Sequence, residues 1–207
     1  MNYNLFKVLI FFISILVSNL IIGQEIDFNK LSILEVKAYE NNQNSTPIDT
    51  LEDFGILKNP HFDVETLVQA KAFIFKRNDD DFEPQLHVWY FYDKALTELK
   101  GKNYYWGLYN PDFNDKGKEE WLIKLSNNEK GFKEKYNQLE KILSSKLGQP
   151  IKKRTIADNE KRFIENMFWE DDKKIVGLSI NFDRKINKIP GIGIFAKFEI
   201  EVQITYK

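Results

Sequence analysis

The sequence contains no cysteine and only two histidines, His61 and His87, among its 207 residues. The absence of cysteine excludes a disulfide framework, a thiolate nucleophile and a metal site built on cysteine ligands. It also excludes a lipid attached to a cysteine near the N-terminus. Catalysis by an imidazole base would have to use one of the two histidines.

An excess of charge of either sign is also missing. The chain has 30 Lys and Arg residues against 31 Asp and Glu residues, a net charge of −1. Proteins that bind nucleic acids collect phosphates with a strongly basic surface, and this chain has no such excess. We therefore predict no nucleic-acid partner.

Long apolar runs are absent except at the beginning of the chain. Residues 8–22 read VLIFFISILVSNLII, follow the positive Lys7 and precede the small Gly23. This order is typical of a secretory signal peptide, and the run is shorter than the roughly 20 residues of a permanent membrane helix. We predict a signal peptide over 1–23 and a secreted or periplasmic protein; an uncleaved anchor is the alternative.

The remaining residues, 24–207, are predicted to form one α+β domain. Removal of the signal peptide would leave 29 basic and 31 acidic residues, a net charge of −2, and no permanent membrane span. No internal repeat and no low-complexity linker divides this part of the sequence. A chain of this length buries enough surface to fold without disulfides.

Residues 129–147 show the clearest helical period. Apolar residues recur there at steps of four, three, four and four: Phe132, Tyr136, Leu139, Leu143 and Leu147. Ser126 and Glu129 have the spacing of a capping box, and Gly148 followed by Pro150 is a stop signal. The pattern predicts one long amphipathic helix over about 129–147 that covers the apolar face of a sheet.

The end of the chain shows the period of a strand. Within Lys197–Lys207, apolar and polar residues alternate strictly, which predicts one face in the core and one in water. Val176–Phe182 alternates in the same way, and the apolar segment 163–169 precedes it across a polar turn. Together these segments predict a C-terminal antiparallel β meander.

The first half of the mature chain is predicted to be mostly β. Strands are expected at 31–39, 70–77, 86–92, 103–109 and 121–125. An exposed loop is expected at 40–46 and a short helix at 50–57. The predicted fold class is therefore α+β, a mostly antiparallel sheet with one long helix packed on it.

Motifs that carry chemistry are scarce. The sequence has no G-x-S-x-G nucleophile elbow, and no residues near His61 or His87 in the sequence complete a catalytic set. The loop at 112–117 resembles the start of a calcium loop, but Ile123 stands where its bidentate Glu is required. We predict no catalytic residues, no metal site and no cofactor.

One stretch of the sequence is enriched in aromatic residues. Nine of the chain's 30 aromatic residues lie within the 29 residues from Gln85 to Phe113. Tyr and Trp combine an apolar ring face with a polar edge, which suits stacking on sugars or anchoring a partner. The candidate binding residues are Trp89, Tyr104, Trp106 and Tyr109; the alternative is that these rings pack in the core.

The export signal and the aromatic stretch lead to one functional hypothesis. We predict an exported, non-catalytic binding module for a partner protein or a glycan. One alternative is a loop-built hydrolase that uses a histidine or paired carboxylates; another is a structural component of the cell envelope.

Overall fold

The computed structural model describes residues 26–55, 69–77, 82, 84–108, 118–184, 187–189, 193–195 and 197–207. The predicted signal peptide lies outside the described residues. The fold is α+β, and the described residues form two helices and an eight-stranded antiparallel sheet. No helix in the described ranges combines the length and the apolar character that crossing a membrane requires.

The elements are numbered in chain order. The helices are α1 (Ile33–Asn42) and α2 (Lys118–Leu147). The strands of the large sheet are β1 (Thr46–Gly55), β2 (Gln69–Arg77), β3 (Leu86–Asp93), β4 (Leu99–Leu108), β5 (Lys152–Asp158), β6 (Arg162–Glu170), β7 (Lys174–Asp183) and β10 (Phe198–Tyr206). A small hairpin, β8 (Asn187–Ile189) and β9 (Gly193–Phe195), lies between β7 and β10.

The N-terminal and C-terminal halves of the described fold have the same topology, although the sequence shows no repeat. The strand order in the sheet is β1-β2-β3-β4-β10-β7-β6-β5. Each half is one helix followed by a meander of four sheet strands, and the last strands of the two halves, β4 and β10, pair at the centre. This arrangement confirms the predicted C-terminal meander.

Helix α2 packs on the sheet as predicted, but it begins at Lys118 rather than near Glu129. The apolar stripe continues backwards through Leu125, which is buried, to the partly buried Trp121. The predicted strand over 121–125 is therefore wrong, and Ser126 is an exposed residue inside the helix rather than its cap. The predicted stop is confirmed, since Gly148 has a φ of +84°, which favours glycine.

Helix α1 replaces the strand predicted over 31–39, and that prediction is wrong. Ser32 accepts a hydrogen bond from the Glu35 backbone, and the Glu35 carboxylate accepts one from the Ser32 backbone, forming a capping box. Val36 and Glu40 lie one turn apart and are both buried. The loop predicted at 40–46 is wrong in its first residues, because α1 continues to Asn42 and Glu40 is buried. The helix predicted at 50–57 is also wrong, because strand β1 occupies most of that range.

Both helices lie on the same face of the sheet, and the core lies between. Phe132 of α2 packs edge-on against Phe182 and Phe198, with ring centroids 5.9 Å from each. Glu40 of α1 contacts Arg77 and Tyr90, whose side chains point to the same side. Burial of each large side chain contributes roughly 1.5–3 kcal/mol before the cost of ordering it.

The opposite face of the sheet, here called the outer face, differs from the prediction. The polar residues of β10 were expected to lie in water, yet Glu199 is only 8% exposed and Gln203 only 6%. Ser179 and Asn181 on the neighbouring strand β7 are similarly buried. The centre of the outer face is therefore polar and largely shielded.

Candidate binding site on the outer face of the sheet

One polar side chain from each of seven adjacent strands lines up across the outer face. In strand order β2-β3-β4-β10-β7-β6-β5, the directly paired residues of this polar row are Lys76, His87, Tyr105, Glu201, Ser179, Asn166 and Arg154. Strands lie about 4.8 Å apart, so the row spans roughly 29 Å. Residues of these strands that point to the helices are mostly apolar, which makes the row a distinct surface.

Tyr105 and Glu201 of the row belong, with three neighbours on the same face, to a hydrogen-bonded group here called the amide–carboxylate cluster. Its members are Asn103, Tyr105, Asn181, Glu199 and Glu201. Asn103 Nδ2 donates to Glu201 Oε1 at 2.6 Å, and Asn181 Nδ2 donates to Glu199 Oε1 at 3.0 Å. Tyr105 Oη donates to Glu199 Oε2 at 3.3 Å, and Lys197 Nζ lies 2.7 Å from Glu199 Oε1.

Two acceptors in the cluster are buried and have no hydrogen-bond donor. They are Asn103 Oδ1 and Asn181 Oδ1. A buried acceptor without a donor costs about 1–3 kcal/mol, so native proteins rarely keep one. The cluster therefore contains two hydrogen-bond acceptors that the described residues leave unused.

Tyr105 lies flat along β4 over a glycine. A Cβ added to Gly107 would come within 2.2 Å of Tyr105 Oη and 2.4 Å of Tyr105 Cε1. No real side chain tolerates such a contact, so the tyrosine ring occupies the space that any other residue at 107 would need. This close approach directs the Tyr105 hydroxyl towards Glu199, which is opposite Gly107 in register.

An aromatic patch adjoins the cluster. Trp89 pairs with Asn103 across β3 and β4, and its ring stacks on Phe91 with centroids 6.1 Å apart. Phe91 and Ala72, on the same face, are buried and pack with Trp89, which remains partly exposed. An indole face next to amides and carboxylates combines stacking with hydrogen bonding in one place.

The four residues predicted from the aromatic stretch have different locations. Trp89 lies on the outer face beside the cluster. Tyr104 and Trp106 point to the helices and are fully buried, so the site defined here does not include them. Tyr109 lies outside the described residues. Strand alternation explains the division, because consecutive residues point to opposite faces.

His87 belongs to the polar row, between Lys76 and Tyr105. Burial and the charge of Lys76 both lower the pKa of this imidazole. Its neighbours in register are thus a cation and a phenol rather than two carboxylates. His61 lies outside the described residues, and within the described ranges no three His, Asp or Glu side chains are grouped to hold a metal ion.

A second polar group is buried on the helix side of the sheet. Arg77 Nε donates to Glu40 Oε2 at 2.9 Å, and the Tyr90 hydroxyl also donates to this carboxylate. Burial raises the pKa of Glu40, but the hydrogen bonds and charge of Arg77 outweigh it, and the net pKa is lowered. Lys102, fully buried, donates to Asp27 Oδ2 at 2.6 Å. These pairs fasten α1 and the segment before it to the sheet.

Fold and site together define an α+β protein with a helix-covered apolar face and a polar, partly aromatic outer face. Comparison of the chain with protein-family models, with curated proteins and with solved structures gives no match. The chemistry of the outer face is therefore the basis for inferring a function.

Proposed function

We propose that this protein is an exported, non-catalytic binding module whose ligand lies across the polar row. The observation that carries the proposal is the row itself, seven polar side chains in direct register across adjacent strands. Sheet stability alone does not require it, because β-branched and aromatic residues are the ones favoured in strands. Five members of the row are at least partly exposed and could reach a ligand outside the domain, while Ser179 and Asn166 are buried between them. The partly exposed members are Lys76, His87, Tyr105, Glu201 and Arg154.

A glycan is the ligand class that this chemistry supports best. Sugar rings present C–H groups that stack on aromatic faces and hydroxyl groups that bond to amides and carboxylates. Trp89 supplies a partly exposed ring, and Asn103 and Glu201 lie beside it in the sheet. Tyr and Trp are also the residues that anchor protein partners, so a protein ligand is the alternative.

The test is to screen the purified exported protein against a glycan array and a panel of envelope proteins. A Trp89→Ala variant should bind the best ligand at least tenfold more weakly, a loss of about 1.4 kcal/mol. Leu34→Ala is the matched control, because Leu34 is 78% exposed on α1, on the opposite side of the sheet. If the wild-type protein binds nothing on the glycan array or in the protein panel, the proposal is overturned.

The hydrolase alternative predicts a different result. A bound glycan incubated with the protein would be shortened over time, and the products would appear in mass spectra. Under the proposal made here, the glycan is recovered intact.

A further inference from the structure

We propose that a groove between helix α1 and strands β1 and β2 is a second binding site, and that its ligand is a small apolar acid such as an alkyl carboxylate. The groove shares no residue with the polar row or with the amide–carboxylate cluster. This second site therefore does not depend on the proposed function.

The groove has the size and the lining of a small-molecule site. Its volume is about 460 Å³. Helix α1 contributes two polar residues and the strands contribute five apolar ones: Lys37, Asn41, Pro47, Ile48, Phe73, Ile74 and Phe75. Small-molecule sites typically have about 300–1,000 Å³, mostly apolar walls and a few polar groups. The groove meets all three conditions.

A β-bulge lies in the wall of the groove. Pro47 pairs with Phe75 and Asp49 with Ile74, so Ile48 between them has no partner residue on β2. Ile48 is 51% exposed, although isoleucine is among the residues most often buried. Bulges commonly redirect a side chain beside a functional site. Ile48 thus presents apolar surface that a ligand in the groove would bury.

The aromatic part of the lining is held in place by the core. The Phe73 ring packs edge-on against Tyr92 with centroids 5.8 Å apart, and Phe75 packs in the same way against Tyr90 at 6.0 Å. The Tyr92 hydroxyl in turn donates to the Leu31 carbonyl at 2.8 Å. These rings are fixed without a ligand, so binding requires little ordering of the protein.

The polar groups of the groove favour an anion. Lys37 is exposed, and its ammonium has no ion pair and no hydrogen bond with the residues that the structure describes. Asn41 lies four residues further on, hence on the same side of α1, and its amide can donate as well. An ammonium and an amide N–H together match the two oxygens of a carboxylate.

The carboxylates of α1 do not cancel this charge at the groove. Glu35 accepts a hydrogen bond from the Ser32 backbone, and Glu40 is buried and paired with Arg77. Lys37 is the third charged residue of the helix and is the one that lines the groove. An apolar wall beside an unpaired cation is complementary to an apolar molecule with a single negative head group.

The experiment is calorimetric titration of the purified exported protein with decanoate, hexanoate and decyltrimethylammonium, each below its micelle concentration. Decanoate should bind saturably at one site. Hexanoate should bind at least tenfold more weakly, because each buried CH₂ group strengthens binding by up to about fourfold. Decyltrimethylammonium should also bind at least tenfold more weakly, because it carries the opposite charge. No saturable binding of decanoate, or equal binding of decanoate and the cation, would overturn the proposal.

Two further measurements distinguish other occupants of the groove. Co-sedimentation with phosphatidylglycerol vesicles, without binding of monomeric decanoate, would overturn the proposal in favour of a membrane-docking surface. A dimer in analytical ultracentrifugation that Ile48→Ala dissociates, again without decanoate binding, would overturn it in favour of a second copy of the chain.

Variants locate the site. Lys37→Gln should weaken decanoate binding at least fivefold, whereas Lys130→Gln, on the exposed side of α2, should leave it unchanged. Ile48→Ala should weaken it at least threefold, with Ile123→Ala, a 60% exposed isoleucine of α2, as the matched control. Equal effects of a variant and its control would place decanoate elsewhere and overturn the assignment.

The two binding sites can fail separately. Trp89→Ala should leave the affinity for decanoate unchanged, and Lys37→Gln should leave the glycan-array and protein-panel signals unchanged. Loss of decanoate binding in Trp89→Ala would contradict a site beside α1. Failure of the protein to bind any glycan or envelope protein would overturn the proposed function and leave the groove as a site for apolar acids.

Discussion

At the scale of single residues, the protein places opposite charges in its interior and pairs them. The side chain of Glu40 has no exposed surface and that of Arg77 only 6%, and they bond through two N–H groups of the guanidinium. Such a pair is weak evidence for stability, because two charges lose their hydration. Removing one partner is different, since the other charge is then left buried and uncompensated.

Arg77→Leu should therefore destabilise the protein by about 3–5 kcal/mol, because it leaves the Glu40 carboxylate buried without its cation. Urea denaturation at neutral pH measures the change. The double variant Glu40→Leu/Arg77→Leu should recover part of the loss. Lys30→Ala is the control, since the Lys30–Glu98 pair is exposed and such pairs contribute about 0–1 kcal/mol. Equal losses from Arg77→Leu and Lys30→Ala would contradict the buried pairing.

Glu129 should make the free energy of unfolding depend on pH in the acid range. A hydrogen bond from Arg184, aided by one from Lys133, lowers the pKa of Glu129 to about 2 from 4.5. A carboxyl whose pKa is depressed by folding contributes stability above its unfolded pKa and loses it as the pH falls through the folded value. The free energy of unfolding should hence decrease as the pH drops from about 5 to about 2.

The measurement is urea denaturation of the wild type and of Glu129→Gln at pH 6 and at pH 3. The variant should be less stable at pH 6 and should lose less stability on acidification. Glu40, whose pKa is also lowered, should leave some acid sensitivity in the variant. Parallel losses in the two proteins would rule out the contribution of Glu129.

At the scale of elements, β4 joins the core and the candidate site. Its residues Tyr104 and Trp106 fill the core, while Asn103, Tyr105 and Gly107 alternate with them on the outer face. One strand thus carries the largest buried rings and the centre of the polar row. A substitution on one face of β4 can therefore leave the side chains on the other face in place.

Gly107→Ala tests this division. The added methyl would overlap the Tyr105 ring, so the ring must leave its position over the strand and its bond to Glu199. Because the overlap is with the outer end of a partly exposed ring that can turn aside, we expect a loss of stability of only about 0.5–1.5 kcal/mol, that of one hydrogen bond, together with altered ligand binding. Thermal unfolding and titration with the best array ligand measure the two effects.

Gly131→Ala is the matched control for this substitution. Gly131 lies within α2, and a Cβ there would approach only Phe82, at an ordinary contact distance of 3.7 Å. Alanine is the better helix former, so this variant should be as stable as the wild type or slightly more stable. Unchanged stability and binding in Gly107→Ala would mean that the Tyr105 ring does not rest on the strand.

At the scale of the whole molecule, the residues just after the predicted signal peptide are part of the folded domain. Ile26 is buried in the core, and the Asp27 backbone bonds to the Tyr104 hydroxyl while its carboxylate pairs with Lys102. Two helix-and-meander halves meet at β4 and β10, and this N-terminal segment is fastened to β4 beside that junction.

We propose that the exported protein begins near Gln24, two residues before Ile26, which is buried and is the first residue that the structure describes. Mass spectrometry and N-terminal sequencing of material recovered from the culture medium or periplasm should show this start. Gly23→Pro, which hinders cleavage next to the predicted site, should leave the chain at full length. An intact Met1 on the exported wild-type protein would contradict the prediction.

The sequence predicted some elements well and others badly, for identifiable reasons. The strands at 163–169, 176–182 and 198–206 were predictable because their alternation is long and their turns are polar. Helix α1 was missed because its Leu and Ile residues resemble a strand, although Ser32 and Glu35 already had capping-box spacing. Of the site, only Trp89 was predicted as a binding residue, and His87 was considered only as a catalytic base. The alternation within the predicted strands separates two faces, but it does not show which polar side chains of neighbouring strands meet.

The sequence by itself determined the α+β class, the long helix with its glycine stop, and the central C-terminal strand, because these depend on periodicities read within a single segment. Only the tertiary structure decided that Tyr105 aligns with Glu201, that Glu40 meets Arg77, and that Tyr104 and Trp106 belong to the core. The physical reason is that strand register and helix docking join residues up to about a hundred positions apart. Such pairings are selected by the packing of the whole sheet and are not encoded in any one segment.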